Sequence, residues 1–117
     1  MINNLYTYKA TVVRVVDGDT AELVIDLGFT VQWKSTCRFY GINTAELKSK
    51  DPEVKQKAKD AKQYVEYHLV KGVEVLVVSR ELDKYGRPLV DIYYGKDFTQ
   101  HINKELVEKQ LAVTYLL

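Results

Sequence analysis

Cysteine is all but absent from this chain. Cys37 is the only one in 117 residues, so no disulfide can form within it. Its strand-like neighbours point to a buried, inert thiol, and no Cys/His cluster of the zinc type is present. Histidine is scarce too. His68 and His101 stand in helix-like stretches, which leaves a catalytic cysteine without its usual partner. The formal net charge is only +1, so no global field gathers a polyanion and any phosphate binding must come from local cations. No apolar run reaches membrane-spanning length. Met1-Ile2-Asn3-Asn4 lacks the charged and apolar regions of a signal peptide. The chain as given is therefore expected in the cytoplasm, or outside the cell if an export signal was trimmed. There is no Gly-rich nucleotide loop and no Ser/His/Asp pattern. Linkers, internal repeats and low-complexity segments are missing as well. What remains reads as a single domain over residues 1–117, with 46% hydrophobic and 28% charged residues, enough for one core.

The periodicities divide the chain. Tyr6 to Val16, rich in Tyr, Thr and Val, predicts a long strand. Asp17-Gly18-Asp19 supplies turn chemistry. Ala21 to Leu27 predicts a second strand, Asp26-Leu27-Gly28 another turn, and Thr30 to Ile42 a third strand, which together make an antiparallel meander. Asp51-Pro52-Glu53 is a helix start, with a capping aspartate, a proline in the first turn and an acid at the positive end of the dipole. Val54, Ala58, Ala61, Val65 and Leu69 then recur at helical spacing, and Lys71-Gly72 suits the helix end. Val73 to Ser79 predicts a fourth strand, Asp83 to Arg87 a charged loop, and Leu89 to Tyr94 a fifth strand. Ile102, Leu106, Val107 and Leu111 mark a second, shorter helix. A mainly β chain of five strands, with a helix between the third and fourth and a short one near the C-terminus, has the order of the oligonucleotide-binding (OB) barrel. An open α+β sheet with both helices on one face is the alternative. Ala112-Val113-Thr114-Tyr115-Leu116-Leu117 is apolar for a terminus. It is expected to pack on the barrel, pair with a second copy, or continue in a longer chain.

Three stretches carry chemistry. Asp17 and Asp19 flank a glycine, and Asp-Gly favours a hairpin turn by itself. Yet Asp19, the side-chain oxygen of Asn43 and the backbone carbonyl of Thr44 are hard donors of the kind that suits Ca²⁺ or Mg²⁺, with Glu46 able to hold a metal-bound water. Arg38-Phe39-Tyr40-Gly41-Ile42-Asn43-Thr44-Ala45-Glu46 reads as a strand running into a small-residue turn, with an arginine at its head and a glutamate at its tail. A guanidinium can clamp a phosphate through two parallel hydrogen bonds, and a carboxylate can activate water. A surface ion pair is the ordinary role of a lone arginine, and it comes more easily to Arg87, which has Asp83 in its own loop. Aimed together at one metal, Arg38 and Arg87 make a phosphate clamp that stabilises charge growing in a transition state. Lys84 then contacts the phosphate and Tyr85 stacks on a base; otherwise they are a loop residue and a partly exposed aromatic. The lysines between Lys48 and Lys62 read as a solvated helix face.

Taken together, Val16-Asp17-Gly18-Asp19-Thr20, the stretch from Arg38 to Glu46, and Asp83-Lys84-Tyr85-Gly86-Arg87-Pro88-Leu89 resemble the staphylococcal nuclease-like (thermonuclease) domains. Ile102-Asn103, followed by Leu106-Val107 and Leu111-Ala112, is a weaker match. The resemblance runs from Tyr8 to Ala112 with the motifs in the family's order. It implies a five-stranded barrel that binds Ca²⁺ and cleaves phosphodiester bonds in single-stranded or locally open DNA and RNA. It further implies that Asp19 and the Thr44 carbonyl ligate the metal, that Arg38 and Arg87 bind phosphate, and that Glu46 acts as general base or orients water. Lys84 and Tyr85 fall in the implied nucleotide pocket, with Tyr115 as a second tyrosine. The competing reading is a barrel of the same type that has lost catalysis and binds nucleic acid or protein.

The chain departs from the family pattern at four points. Asn43 stands where the thermonucleases carry a metal-binding aspartate, and ligand charge sets Ca²⁺ affinity. Ala45 replaces a proline, loosening the turn that aims Glu46. Gln110 replaces a glycine before Leu111-Ala112, so a different helix end is expected. The family's C-terminal helix has no counterpart before Leu117, which leaves the apolar tail uncovered and gives an expectation of self-association through it.

Overall fold

Strand alternation builds the framework, seen here in a computed structural model that describes residues 5–115. In β1 (Thr7–Asp17) Ala10 and Val12 point inward and Lys9, Thr11 and Arg14 outward. A register shift between Val12 and Arg14 adds one residue, which moves the inward face from the even to the odd positions and keeps Val15 in the core. β2 (Thr20–Gly28) contributes Ala21, Leu23 and Ile25, and β3 (Val31–Phe39) contributes Cys37 and Phe39. A short β4 (Ile42–Thr44) follows, then helix α1 (Pro52–His68), β5 (Glu74–Leu82), β6 (Pro88–Tyr94), the two-residue β7 (Gln100–His101), α2 (Ile102–Glu108) and β8 (Ala112–Thr114). The sheet runs β3-β2-β1-β5-β6 with antiparallel neighbours. It closes where β3 meets β6 in parallel, Arg38 opposite Leu89 and Phe39 opposite Val90. The result is the closed, five-stranded mixed barrel with two helices expected of the OB order, not the open sheet. Closure leaves the barrel few free edges.

The helices cover the barrel. Asp51 caps α1 as expected, its Oδ1 accepting from Glu53 N at 2.9 Å, with Pro52 in the first turn. Ala58, Ala61, Val65 and Leu69 are buried against the strands, while Val54 is only half-buried. Tyr64 and Tyr94 both donate their hydroxyls to Glu105, tying α1, β6 and α2 together. No described helix is long and apolar enough to cross a membrane.

Two strand boundaries differ from expectation by more than a residue. The third strand does not run on to Ile42. Gly41 takes φ +78°, so the chain turns at Tyr40-Gly41 and β4 leaves the barrel to pair with β8. β5 extends to Leu82 rather than stopping at Ser79, with an irregularity between Ser79 and Glu81 that sets Arg80 out of register. The apolar tail, as far as it is described, pairs within its own chain. Ile42, Asn43 and Thr44 lie opposite Thr114, Val113 and Ala112, and Tyr115 N donates to Gly41 O at 2.8 Å. That lends no support to self-association through the tail; Leu116 and Leu117 lie outside the described residues.

The end of α2 shows what Gln110 does in place of glycine. Leu111 N donates to Leu106 O at 2.8 Å and Gln110 N to Val107 O at 3.0 Å, the paired bonds of a Schellman termination. The helix end is therefore the usual one, reached by holding Gln110 at φ +61°, where a side chain costs about 1–2 kcal/mol. Gln110→Gly is expected to raise stability by about 1 kcal/mol in urea unfolding. A lower unfolding midpoint would contradict it.

Asp91 on β6 is buried between two partners. Arg80 Nε lies 2.6 Å from its Oδ2 and His101 Nε2 2.9 Å from its Oδ1. Burial works against its ionisation, but the hydrogen bonds from His101 and Arg80 outweigh it and hold the carboxyl below the usual range. The sign follows. A depressed folded pKa contributes stability that is complete above the unfolded value of about 3.9 and is lost as pH falls through the folded one. Asp91→Asn is therefore expected to be less stable than wild type near pH 6, with the difference shrinking as pH falls below about 3.9, in paired urea titrations. A pH-independent difference would contradict the assignment.

Candidate active site

Every residue expected at the site lines one cleft of about 860 Å³, within the roughly 300–1,000 Å³ usual for ligand sites. The reason is topological. The β1–β2 turn brings Asp19, the β3–β4 break brings Arg38, Asn43 and Thr44, and the β5–β6 turn brings Lys84, Tyr85 and Arg87. The β3–β6 closure draws these turns to one mouth of the barrel. Glu46 enters from the loop after β4, and Tyr115 stands just past β8.

Asp19 is the buried centre, 5% exposed. Its Oδ1 accepts from Thr20 Oγ1 at 3.0 Å, and its Oδ2 accepts from Thr44 N at 3.1 Å. Arg38 Nη1 lies 2.8 Å from the same Oδ2, and Arg38 Nη2 donates to Asn43 Oδ1 at 3.1 Å and Ile42 O at 3.3 Å. Burial would raise the Asp19 carboxyl, but its bonding to Asp17, Thr44 N and Arg38 outweighs burial and holds it low. Asp17 takes the opposite shift. Burial, then the neighbouring Asp19 carboxylate, pushes it up to about 6. Two acids flanking one glycine thus differ in readiness to carry charge.

Arg87 is held from its own loop, as anticipated. Asp83 accepts from Tyr85 N and Arg87 N, each at 2.9 Å, through Oδ1, and from Arg87 Nε at 2.8 Å through Oδ2. Desolvation opposes ionisation of Asp83, but those backbone N–H groups and the guanidinium overcome it and lower its pKa. The terminal nitrogens of Arg87 make no hydrogen bond among the described residues, so the pairing aims the guanidinium without consuming it. Tyr85 is 72% exposed, with Lys84 Nζ 5.2 Å and Arg87 Cζ 5.7 Å from its ring centre. The tyrosine is a flat platform beside two cations.

Residues 36–117 match the family model described as staphylococcal nuclease homologue. The chain belongs to that family. Comparison with curated proteins gives no match. In this staphylococcal nuclease homologue the Asp17–Asp19 turn lies outside the matched residues, and the bonds from Thr44 N and Arg38 to Asp19 join it to them.

The donor set suits a hard cation, because Asp19, Asn43 and the Thr44 carbonyl offer oxygen only. The set is thin. Among the described residues no three His, Cys, Asp or Glu side chains cluster as a metal site, and Arg38 lies across two of the oxygens in question. The cleft as a whole is lined by five acids and four cations, so it has no net positive field of its own with which to hold a polyanion.

Asp83, expected as the partner of Arg87, also organises the whole 83–87 loop. One contributor went unrecognised in the sequence of this nuclease homologue. Gly18 had a packing role with no local signal. A Cβ there would sit 2.7 Å from Ala61 Cβ and 3.1 Å from Thr44 Cγ2, because α1 presses on the turn. Gly18→Ala is expected to cost about 1–3 kcal/mol by overpacking. Wild-type stability would contradict the contact.

Proposed function

We propose that this cleft is a metal-dependent phosphodiesterase site that cleaves DNA or RNA in single-stranded or locally open form. The observation that carries this is the convergence of Asp19, Arg38, Glu46 and Arg87 on one hollow. Asp19, Asn43 and the Thr44 carbonyl would hold Ca²⁺, which when bound supplies positive charge to a phosphate oxygen and a polarised water. Asp19 Oδ2 and Asn43 Oδ1, which would help hold the cation, also accept from Arg38, so the guanidinium stands beside that position. Arg38 and Arg87 then grip one phosphodiester from two sides and stabilise charge that grows on its oxygens. Glu46, exposed at the mouth, orients a water or takes its proton. The water oxygen attacks phosphorus in line with the leaving sugar oxygen, the bond from phosphorus to that sugar oxygen breaks, and the sugar oxygen takes a proton from solvent. Lys84 contacts the neighbouring phosphate charge, and Tyr85 with Tyr115 offers faces for bases.

Incubation of the purified protein with single-stranded DNA, first with Ca²⁺ and then with chelator, tests the reading. Cleavage that stops on chelation is expected. Binding without cleavage under both conditions would replace the enzyme by a recognition module.

Asn43 sets the metal affinity on this account. Asn43→Asp adds a carboxylate to the ligand set and is expected to tighten Ca²⁺ by about tenfold in calorimetric titration. Equal affinities would remove Asn43 from the site.

A further inference from the structure

The Asp91 cluster holds more than a buried carboxylate needs. Asp91 is 4% exposed, and one partner would satisfy its charge. It instead orients two side chains that reach the surface, Arg80 at 48% and His101 at 26% side-chain exposure. Only Nε of Arg80 bonds to Asp91, and its terminal nitrogens make no hydrogen bond among the described residues. The guanidinium carbon lies 4.9 Å from the centre of the Tyr40 ring. His101 stacks on Tyr93 with ring centres 4.4 Å apart and planes 14° from parallel. Tyr40, Asp91, His101 and the exposed Lys104 line a hollow of about 290 Å³.

This hollow adjoins the main cleft. Ile42 lines both. Tyr40 precedes Gly41, which is cleft wall, and Arg80 stands over the Tyr40 ring. Cations with unused donors beside flat aromatic faces form the combination that tracks a single-stranded backbone and stacks its bases.

We propose that Arg80, Tyr40, His101 and Lys104 form a second subsite, which takes a phosphate and base of the same single strand just beyond the phosphodiester in the cleft. The proposal rests on the reading of the cleft as a nucleic-acid site and extends it. The protein grips an oligonucleotide rather than a single nucleotide unit. Asp91 is a positioning residue here, since it acts by aiming Arg80 and His101.

The test uses Glu46→Gln as parent, so that cleavage does not intrude, with Ca²⁺ present and binding read by fluorescence anisotropy. The probes are a labelled thymidine dinucleotide and a labelled octanucleotide, each over a range of salt. The octanucleotide is expected to bind at least about tenfold more tightly than the dinucleotide. Arg80→Gln and Lys104→Ala are each expected to abolish most of that gain, leave the dinucleotide unaffected and reduce the salt slope by about 0.7. Lys104 is exposed and outside the Asp91 hydrogen bonds, so its variant stays informative if Arg80→Gln unfolds. A purely structural cluster would shift the melting temperature and leave the salt slope alone. An undiminished length gain in a folded Lys104→Ala variant overturns the subsite while the cleft stands. Failure of the dinucleotide to bind at all overturns the cleft reading, and the subsite with it.

Discussion

Glu46→Gln is expected to lower turnover on single-stranded DNA about a thousandfold, within the range of a lost general base, with KM and melting temperature nearly unchanged. Glu46 is exposed at the cleft, and what anchors it is its backbone, Ser49 N donating to Glu46 O at 3.2 Å. The substitution keeps the shape and hydrogen-bonding reach of the side chain and removes only its charge and basicity. The same logic separates Arg87→Ala. Its half-exposed ion pair with Asp83 is worth about 1 kcal/mol of stability or less, whereas loss of a transition-state donor costs about 10²–10³ in rate. The rate therefore falls far more than the fold weakens. Single-turnover cleavage of a labelled strand, read beside thermal melts, checks both variants. Full turnover in either would remove that residue from the mechanism.

Asn103→Leu is expected to cost about 3–5 kcal/mol, a large part of the roughly 5–15 kcal/mol that holds a domain together. Asn103 is 3% exposed and fully used. Its Oδ1 accepts from Ile92 N at 3.0 Å, and its Nδ2 donates to Val90 O at 3.0 Å and Tyr40 O at 3.1 Å. One side chain thereby joins α2 to β6 and to the turn that leads into β4. Leucine fills a similar volume but leaves Ile92 N and Tyr40 O without this partner, while Val90 O keeps its bond from Tyr40 N at 2.8 Å; each group stranded costs about 1–3 kcal/mol. The Tyr40 bond ties this loss to the cleft, since that turn positions Asn43 and Thr44. Urea unfolding reads the first effect and Ca²⁺ titration of the folded variant the second. A stability loss below about 1 kcal/mol would contradict the staple.

What could be read from the chain beforehand was whatever has a local signature. Alternation marked the strands, and Asp51-Pro52-Glu53 marked the start of α1. The residues of the cleft were legible because each belongs to a short motif at a strand end, and closure of the barrel brings those ends together. Long-range partners left no such mark. Nothing near Asp91 in sequence announces Arg80 or His101, and nothing near Gly18 announces Ala61. The break at Tyr40-Gly41 had one local sign, a glycine that permits a kink; Phe39, Tyr40 and Ile42 all suit a strand, and the reason for the break, pairing of β4 with β8, lies some 70 residues downstream. Arg38 was expected to face phosphate; its bonds to Asp19 and Asn43 depend on two turns meeting, which no spacing along the chain encodes.

The claim beneath the rest is that two guanidiniums address one phosphodiester. Calorimetric titration of a cleavage-resistant phosphorothioate dinucleotide, with Ca²⁺ present, tests it across wild type, Arg38→Ala, Arg87→Ala and the double variant. If both arginines grip the same phosphate, each single loss weakens binding by at least about tenfold and the two losses are not additive. Unchanged affinity in either single variant would place that arginine off the phosphate and contradict the shared clamp.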